Sequence, residues 1–298
     1  MNKSKKEAEK GLEGKIIFVN SFKGGAGKTT LSLSHCIDAL FHEKAYQNVI
    51  YIDLDILGTA TCYLFEEGRL PREKCFDYTR NPVKIELELE GEQNELYVAY
   101  LNPDFKNRAS YGEDYYFNHQ LLALEHQKQD ILDFIRECLD QEPQTLLVLD
   151  CAPGFSELEQ ALLAECYRMA EKKKGKLKIL EEYVMTLDFS HVKKGIQCLK
   201  NSQTSFDRQM KNRSIRITLN DIQNFTQWMQ GDEPFDVQKV WLIIAKELQE
   251  ELDEKSVEIF RWQYSARIAQ GNTFTMKENV ENQLDDYLFT EDSYKEIK

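Results

Sequence analysis

No run of apolar residues in this chain approaches the roughly 20 that a membrane-spanning helix requires. Its apolar runs, such as Leu146 to Leu149 and Trp241 to Ala245, are only strand-length. A cationic excess is missing too: 38 Lys and Arg against 51 Asp and Glu leave a formal net charge of −13 over 298 residues. That balance excludes a uniformly basic nucleic-acid coat, though a local basic patch remains open. The N-terminal stretch MNKSKKEAEKGLEGK has lysines but no apolar core, so it lacks the pattern of a secretory signal. Residues 1 to 14 read as a flexible basic tail on a cytoplasmic protein. Seven cysteines (36, 62, 75, 138, 151, 166 and 198) include no C-x-x-C pair, and the five histidines (35, 42, 119, 126 and 191) show no i, i+4 spacing. Buried reduced thiols are expected, and disulfides and zinc are not.

What is present is enough for a sizeable core, with 42% apolar and 11% aromatic residues. Lys15 to Asn20 (KIIFVN) reads as a strand running into the glycines at 24, 25 and 27. A helix from Lys28 to about Glu43 follows, and then the apolar strand Val49 to Asp53. Strand, glycine loop, helix and strand make a βαβ unit with a right-handed crossover and a parallel sheet. From Val83 to Leu101 the residues alternate apolar and polar on both sides of Gly91 to Asn94, as in a half-exposed, peripheral hairpin. Asn118 to Leu139 has helical spacing and leads through Pro143 to the strand Leu146 to Leu149. Ser156 and Glu159 form a capping box opening the next helix. Further strands are expected at Tyr183 to Leu187, Ile215 to Leu219 and Val257 to Phe260. Alternating strands and helices predict an α/β, doubly wound, mostly parallel sheet with helices on both faces. No repeat or low-complexity linker divides the chain, so residues 15 to 298 are expected to form one domain.

The segment SFKGGAGKTT, Ser21 to Thr30, has the chemistry of a phosphate cradle. Gly24, Gly25, Ala26 and Gly27 let successive backbone N–H groups turn toward phosphate oxygens. Lys28 neutralises them, and Thr29, followed by Thr30, offers a hydroxyl to magnesium. The N-terminus of the following helix adds partial positive charge. The glycine usual six residues before Lys28 is replaced by Phe22, and Lys23 stands directly after it. This K-G-G-x-G-K-T-T form resembles the deviant Walker A motif of the ParA/MinD family of P-loop ATPases, in which the early lysine reaches the nucleotide of a partner subunit.

Two further segments resemble that family's motifs in the expected order. Asp53-Leu54-Asp55-Ile56-Leu57-Gly58 is similar to switch I (D-x-D-x-x-G), and Asp150-Cys151-Ala152-Pro153-Gly154 to Walker B and switch II (D-x-x-P-G). The resemblance implies ATP and Mg²⁺ as cofactors and makes Lys23, Lys28 and Asp55 the catalytic residues, with Asp55 positioning the attacking water. It places Thr29, Asp55 and Asp150 at the metal, and Gly154 beside the nucleotide with the loop residues. Ile215 to Asp221 resembles the late strand whose Asn reads the adenine edge, which points to Asn220; capping a strand or turn is the other reading of that residue. Ile259 to Thr273 resembles the family's last strand and following loop. The similarity covers about residues 15 to 275.

Accessory chemistry separates the branches of such a family. Without C-x-x-C an iron–sulfur carrier is not expected. The acidic final stretch ENQLDDYLFTEDSYKEIK is unlike a basic membrane-targeting helix, so no membrane partner is expected. Between Lys172 and Arg216 twelve Lys and Arg face four acidic residues. That segment is either a solvated surface or a patch that binds DNA of any sequence through its phosphates. Two functions remain. The first is an ATP-dependent homodimeric switch that partitions DNA or positions a cargo, served by an adaptor or activator protein. The other is an ATP-using synthetase or amidotransferase of the dethiobiotin synthetase or cobyrinic acid a,c-diamide synthase type. Lys23 favours the switch, because the synthetases tend to lack it.

Overall fold

The computed structural model describes residues 14–55, 82–89, 91–100, 128–141, 144–154, 156–206, 213–220, 229–230, 233–234, 237–252, 257–262 and 294–296. The basic tail, Ile56 to Gly58 of the switch I resemblance, the first part of the 118–139 helix, Arg208 and Lys211 of the basic segment, and most of Ile259 to Thr273 lie outside these residues.

Strand β1 (Gly14–Asn20) leads through the glycine loop to helix α1 (Lys28–Asp38), which ends in a π turn, Ala39–Glu43, before β2 (Asn48–Asp53). The hairpin β3 (Val83–Leu89) and β4 (Glu92–Tyr100) follows, then helix α2 over 128–141 and β5 (Thr145–Asp150). Helix α3 (Glu157–Lys172), β6 (Leu177–Thr186), α4 (Phe189–Phe206) and β7 (Ile215–Asn220) come next. The two-residue strands β8 (Met229–Gln230) and β9 (Glu233–Pro234), helix α5 (Val237–Glu251), β10 (Val257–Trp262) and β11 (Tyr294–Glu296) complete the order.

Among the described residues nine strands form one sheet in the order β11-β10-β7-β6-β1-β5-β2-β4-β3. The seven inner strands are parallel, and β11 and β3 pair antiparallel at the two edges. Right-handed crossovers then fix which face each helix covers. The step from β1 to β2 travels one way along the sheet, whereas those from β4 to β5, β5 to β6, β6 to β7 and β7 to β10 travel the other way. Helix α1 therefore covers one face, and α2, α3, α4 and α5 cover the opposite one. Buried side chains agree. Ile17 and Val19 of β1 pack with Leu31, Leu33 and Ile37 of α1. Ile16 and Phe18 pack with Ile131 and Ile135 of α2 and Leu158 and Leu162 of α3. Tyr183, Ile217 and Ile259 join Ile196 of α4 and Leu248 of α5.

The hairpin sits at the sheet edge as its alternation predicts, with Ile85, Leu87 and Leu89 buried between exposed Lys84, Glu86 and Glu88. Its second strand is nonetheless built into the sheet, because β4 pairs with β2 from Leu96 to Tyr100 and buries Leu96, Val98 and Tyr100. Strand β6 begins well before the Tyr183 expected from sequence. Glu181 and Glu182 masked its start, and both are fully buried in ion pairs. The capping box of α3 forms as expected at Ser156 and Glu159.

Candidate nucleotide site

Parallel strands bring Asn20, Asp53, Asp150, Thr186 and Asn220 to one edge of the sheet. Val19 and Asp53 are both in register with Asp150, and Thr186 with Asn220. Sheets of this kind bind ligands at the carboxyl ends of their strands, where neighbouring crossovers diverge. Here the chain leaves β1 toward β2 on one side and returns past it from β5 to β6 on the other.

The loop Ser21 to Gly27 occupies that point. Gly25 (φ 72°) and Gly27 (φ 96°) lie in the left-handed region, which residues with a Cβ rarely adopt. Gly27 occupies the N-cap position of α1, where no side chain caps the helix and the first turn holds no acidic residue. Helix α3 fills its own N-terminus with Ser156, Glu157 and Glu159, so the bare start of α1 is a local choice that leaves N–H groups for an anion. Phe22 explains the missing first glycine. Its ring stacks on Tyr183 of β6, with centroids 5.5 Å apart and planes 6° from parallel, and so pins the loop to the neighbouring strand. At the far side of the loop, Asn220 Nδ2 donates to the Ala26 carbonyl at 2.8 Å.

Lys28 is buried, and its charge and the Thr29 hydroxyl both act on the Asp150 carboxylate. Tyr51 donates its hydroxyl to Asp150 Oδ2 at 2.7 Å, and Asp150 Oδ1 is buried with no hydrogen-bond partner among the described residues. Burial raises the Asp150 carboxyl above the ordinary range, against the pull of the Lys28 ammonium and of the Thr29 and Tyr51 hydroxyls. A buried carboxylate oxygen without a donor, next to a threonine hydroxyl and a lysine, suits the hydration shell of Mg²⁺. Asp55 lies half-buried at the end of the β2 segment, its backbone N–H donating to Asp53 Oδ1 at 3.0 Å. The start of this segment is tied to Asp150, whose carbonyl accepts from Leu54 N–H at 2.9 Å. Gly154 N–H donates to the Ser21 carbonyl at 2.9 Å, closing the second loop against the first.

Lys23 is 58% exposed, and its ammonium lies 3.8 Å from Asp188, which is 44% exposed. Asp188 caps the start of α4 by accepting from Ser190 N–H at 2.8 Å. Beside it, His191 is buried with Nδ1 accepting from Thr186 N–H at 3.1 Å, and its Nε2 has no partner among the described residues. Sequence reading did not single out Tyr51, Asp188 or His191. Only Tyr51 carried a signal, standing on the same side of β2 as Asp53, two residues on.

The structure divides the basic segment. Lys172, Lys174 and Lys176 lie where α3 turns into β6, at the end of the sheet opposite the glycine loop, whereas Lys193 and Lys194 are on the first turns of α4, on the loop's side. Arg213 is not a surface cation. It is 4% exposed and grips Glu181 with two bonds, Nε at 2.7 Å and one terminal nitrogen at 2.5 Å. Arg216 lies 4.5 Å above the Phe260 ring and 3.3 Å from Glu258.

No family model and no curated protein matches the chain. Solved structures do. The structure of pNOB8 ParA matches with a TM-score of 0.55 at 15% identity, over 94% of this chain and 82% of that one. The chain has the ParA-type P-loop ATPase fold. A Cyanothece McdA variant in complex with ATP matches with a TM-score of 0.50 at 14% identity, over 94% and 99% of the two chains. The ParA-type likeness extends to pNOB8 ParA bound to nonspecific DNA, with a TM-score of 0.53 at 14% identity over 93% and 85%. Among the described residues no helix is long and apolar enough to cross a membrane.

Proposed function

We propose that this chain is an ATP-binding and ATP-hydrolysing switch that works as an ATP-dependent homodimer. The observation that carries the reading is the convergence of Lys28, Thr29 and the unpartnered Asp150 oxygen at the uncapped start of α1. Gly24 to Thr30 would wrap the phosphates, with Lys28 facing the β and γ oxygens. Thr29 would hold Mg²⁺ directly and Asp150 would hold it through a bound water, with Asp55 on the same side. The metal, when bound, would neutralise charge on the transferring phosphoryl group. Asp55 would orient the attacking water. Gly154 closes the loop beside the γ-phosphate position, and Asn220, which steadies Ala26, would turn the rest of its amide to the base.

Lys23 would act in the partner subunit's site. Its pairing with Asp188 is long and exposed, and such pairs contribute about 0–1 kcal/mol, so the ammonium can leave at little cost. DNA partitioning or cargo positioning with an adaptor is the process this switch would serve. The placement of Lys193 and Lys194 on the loop's side favours DNA, as does the fold shared with a DNA-bound ParA.

The test is nucleotide binding and sedimentation. Wild type should bind Mg-ATP and dimerise with it. Lys28→Ala should lose the nucleotide, and Lys23→Ala should keep nucleotide but lose the dimer. Unchanged ATP affinity in Lys28→Ala would remove the phosphate-site reading.

A further inference from the structure

Glu159 lies one turn into α3 and is fully buried, which a plain capping box does not require. Its two carboxylate oxygens accept from different segments. One takes the Ser156 N–H at 2.6 Å, the reciprocal bond of the cap, and the other takes the backbone N–H of Ala152, two residues beyond Asp150. The cap alone needs only the first. Ala152 sits between the Asp150 carboxylate and Gly154, whose N–H is held by Ser21. The short loop that carries Asp150 is thus fixed at Cys151 by the Val19 carbonyl, at Gly154 by the Ser21 carbonyl, and between them by a side chain from the helix that follows.

We infer that Glu159 is a positioning residue for the Asp150–Gly154 loop, using its second oxygen to hold Ala152 in the geometry that phosphoryl transfer needs. The inference rests on the ATPase reading. A loop that orients a metal-bound water loses rate steeply when it drifts by an ångström, and the bond from Ala152 N–H to Glu159 limits that drift. Burial, which pushes the Glu159 carboxyl up to about 7, shows that the group is kept in place despite a desolvation cost.

Two variants separate this role from capping. Glu159→Gln leaves one acceptor oxygen for two N–H donors, and the Ser156 N–H, three residues away in the same cap, is expected to keep it while the Ala152 N–H loses its bond. Ser156→Ala removes the hydroxyl half of the cap and leaves the Ala152 bond. Hydrogen exchange at the Ala152 amide, measured without nucleotide, should accelerate at least fivefold in Glu159→Gln and stay at the wild-type rate in Ser156→Ala. Steady-state ATPase assays should show kcat falling roughly ten- to a hundredfold in Glu159→Gln with KM for ATP unchanged, and near wild-type kcat in Ser156→Ala. Equal exchange in the two variants, or undiminished kcat in Glu159→Gln, would overturn the inference and leave Glu159 as a cap. If wild type itself turns over no ATP, the ATPase reading fails instead, and the exchange rates alone decide whether the tether exists.

Discussion

At the scale of single residues, the site is built from side chains whose roles differ in kind. In the proposed site Lys28 and Thr29 would act on charge that is present in the ground state, whereas Asp55 would orient a water that matters only as the phosphate transfers. Asp55→Ala should therefore bind Mg-ATP as wild type does, lose turnover and accumulate as the ATP-bound dimer, read by single-turnover kinetics and sedimentation. Normal hydrolysis in that variant would make Asp55 no more than a strand-end residue. Arg213 belongs to a different account. With Tyr167 and Tyr183 also donating to Glu181, the Arg213 guanidinium offsets a carboxylate that has no exposure to water. Arg213→Met strands that charge and should cost about 3–5 kcal/mol in chemical unfolding, with nothing specific to nucleotide. Sequence could not distinguish Arg213 from the lysines around it. Its partner lies 32 residues upstream in a strand whose two adjacent glutamates look like surface residues. The glycine loop between β1 and α1 was legible because its residue types stand contiguous and in a fixed order. Tyr51 and Phe22 were not, since their contacts at Asp150 and Tyr183 span 99 residues and a separate strand.

At the scale of elements, the loop and helix that follow β1 are clamped to β6 at two places. Phe22 stacks on Tyr183, and His35 Nε2 lies 2.6 Å from Glu182. Burial works to raise the Glu182 carboxyl, and the His35 ring, Arg216 and Thr218 outweigh it and hold the carboxyl at about 2. The junction between β6 and α4 carries a pH-sensitive group. His191 is lowered from its ordinary 6.5, first by burial and then by Lys23, with Lys194 adding to this and Asp188 opposing it. Its Nδ1 must stay unprotonated to accept from Thr186. The unfolded chain therefore takes up a proton at about 6.5, before the folded one does. Stability contributed by neutral His191 is complete above that pH and is lost as the pH falls toward the lower folded value. Thermal melts should show wild type losing stability between about pH 7 and 5.5 by more than His191→Gln does. Equal slopes would show that this imidazole is not the titrating group. Capping signals located α3 from sequence, and period-two alternation located the hairpin. The inclusion of β4 in the sheet was hidden because pairing partners leave no mark on a strand's own residues.

At the scale of the whole molecule, the division of the basic segment changes what a DNA experiment should target. The acidic chain carries cations at both ends of the sheet, and of that segment's described lysines Lys193 and Lys194 share the nucleotide side with Lys23. Charge reversal at those two should lower the affinity of the ATP-bound dimer for duplex of any sequence. It should also flatten the salt dependence by about 0.9 in log–log slope for each phosphate no longer neutralised, with ATP hydrolysis intact. A fluorescence titration at low salt measures both. Absence of DNA binding by ATP-bound wild type under those conditions would assign the cargo to protein.

The central position of β1 sets the order in which this protein can assemble. Ile17 pairs with Val148 on one side and Leu180 on the other, so the strand that launches the phosphate loop waits for partners made long after it. Contacts of such separation carry a large loop-closure cost before they return any stabilisation, and they slow folding. During synthesis the βαβ unit would emerge with Ile16 to Val19 unpaired on both edges and Phe22 without Tyr183. The proposed nucleotide site is thus incomplete until β6 has left the ribosome, and over that interval an apolar strand is open to mispairing with other chains. Nucleotide can reward folding only at its end, so it would act on the finished protein by slowing unfolding and leave the rate of assembly unchanged.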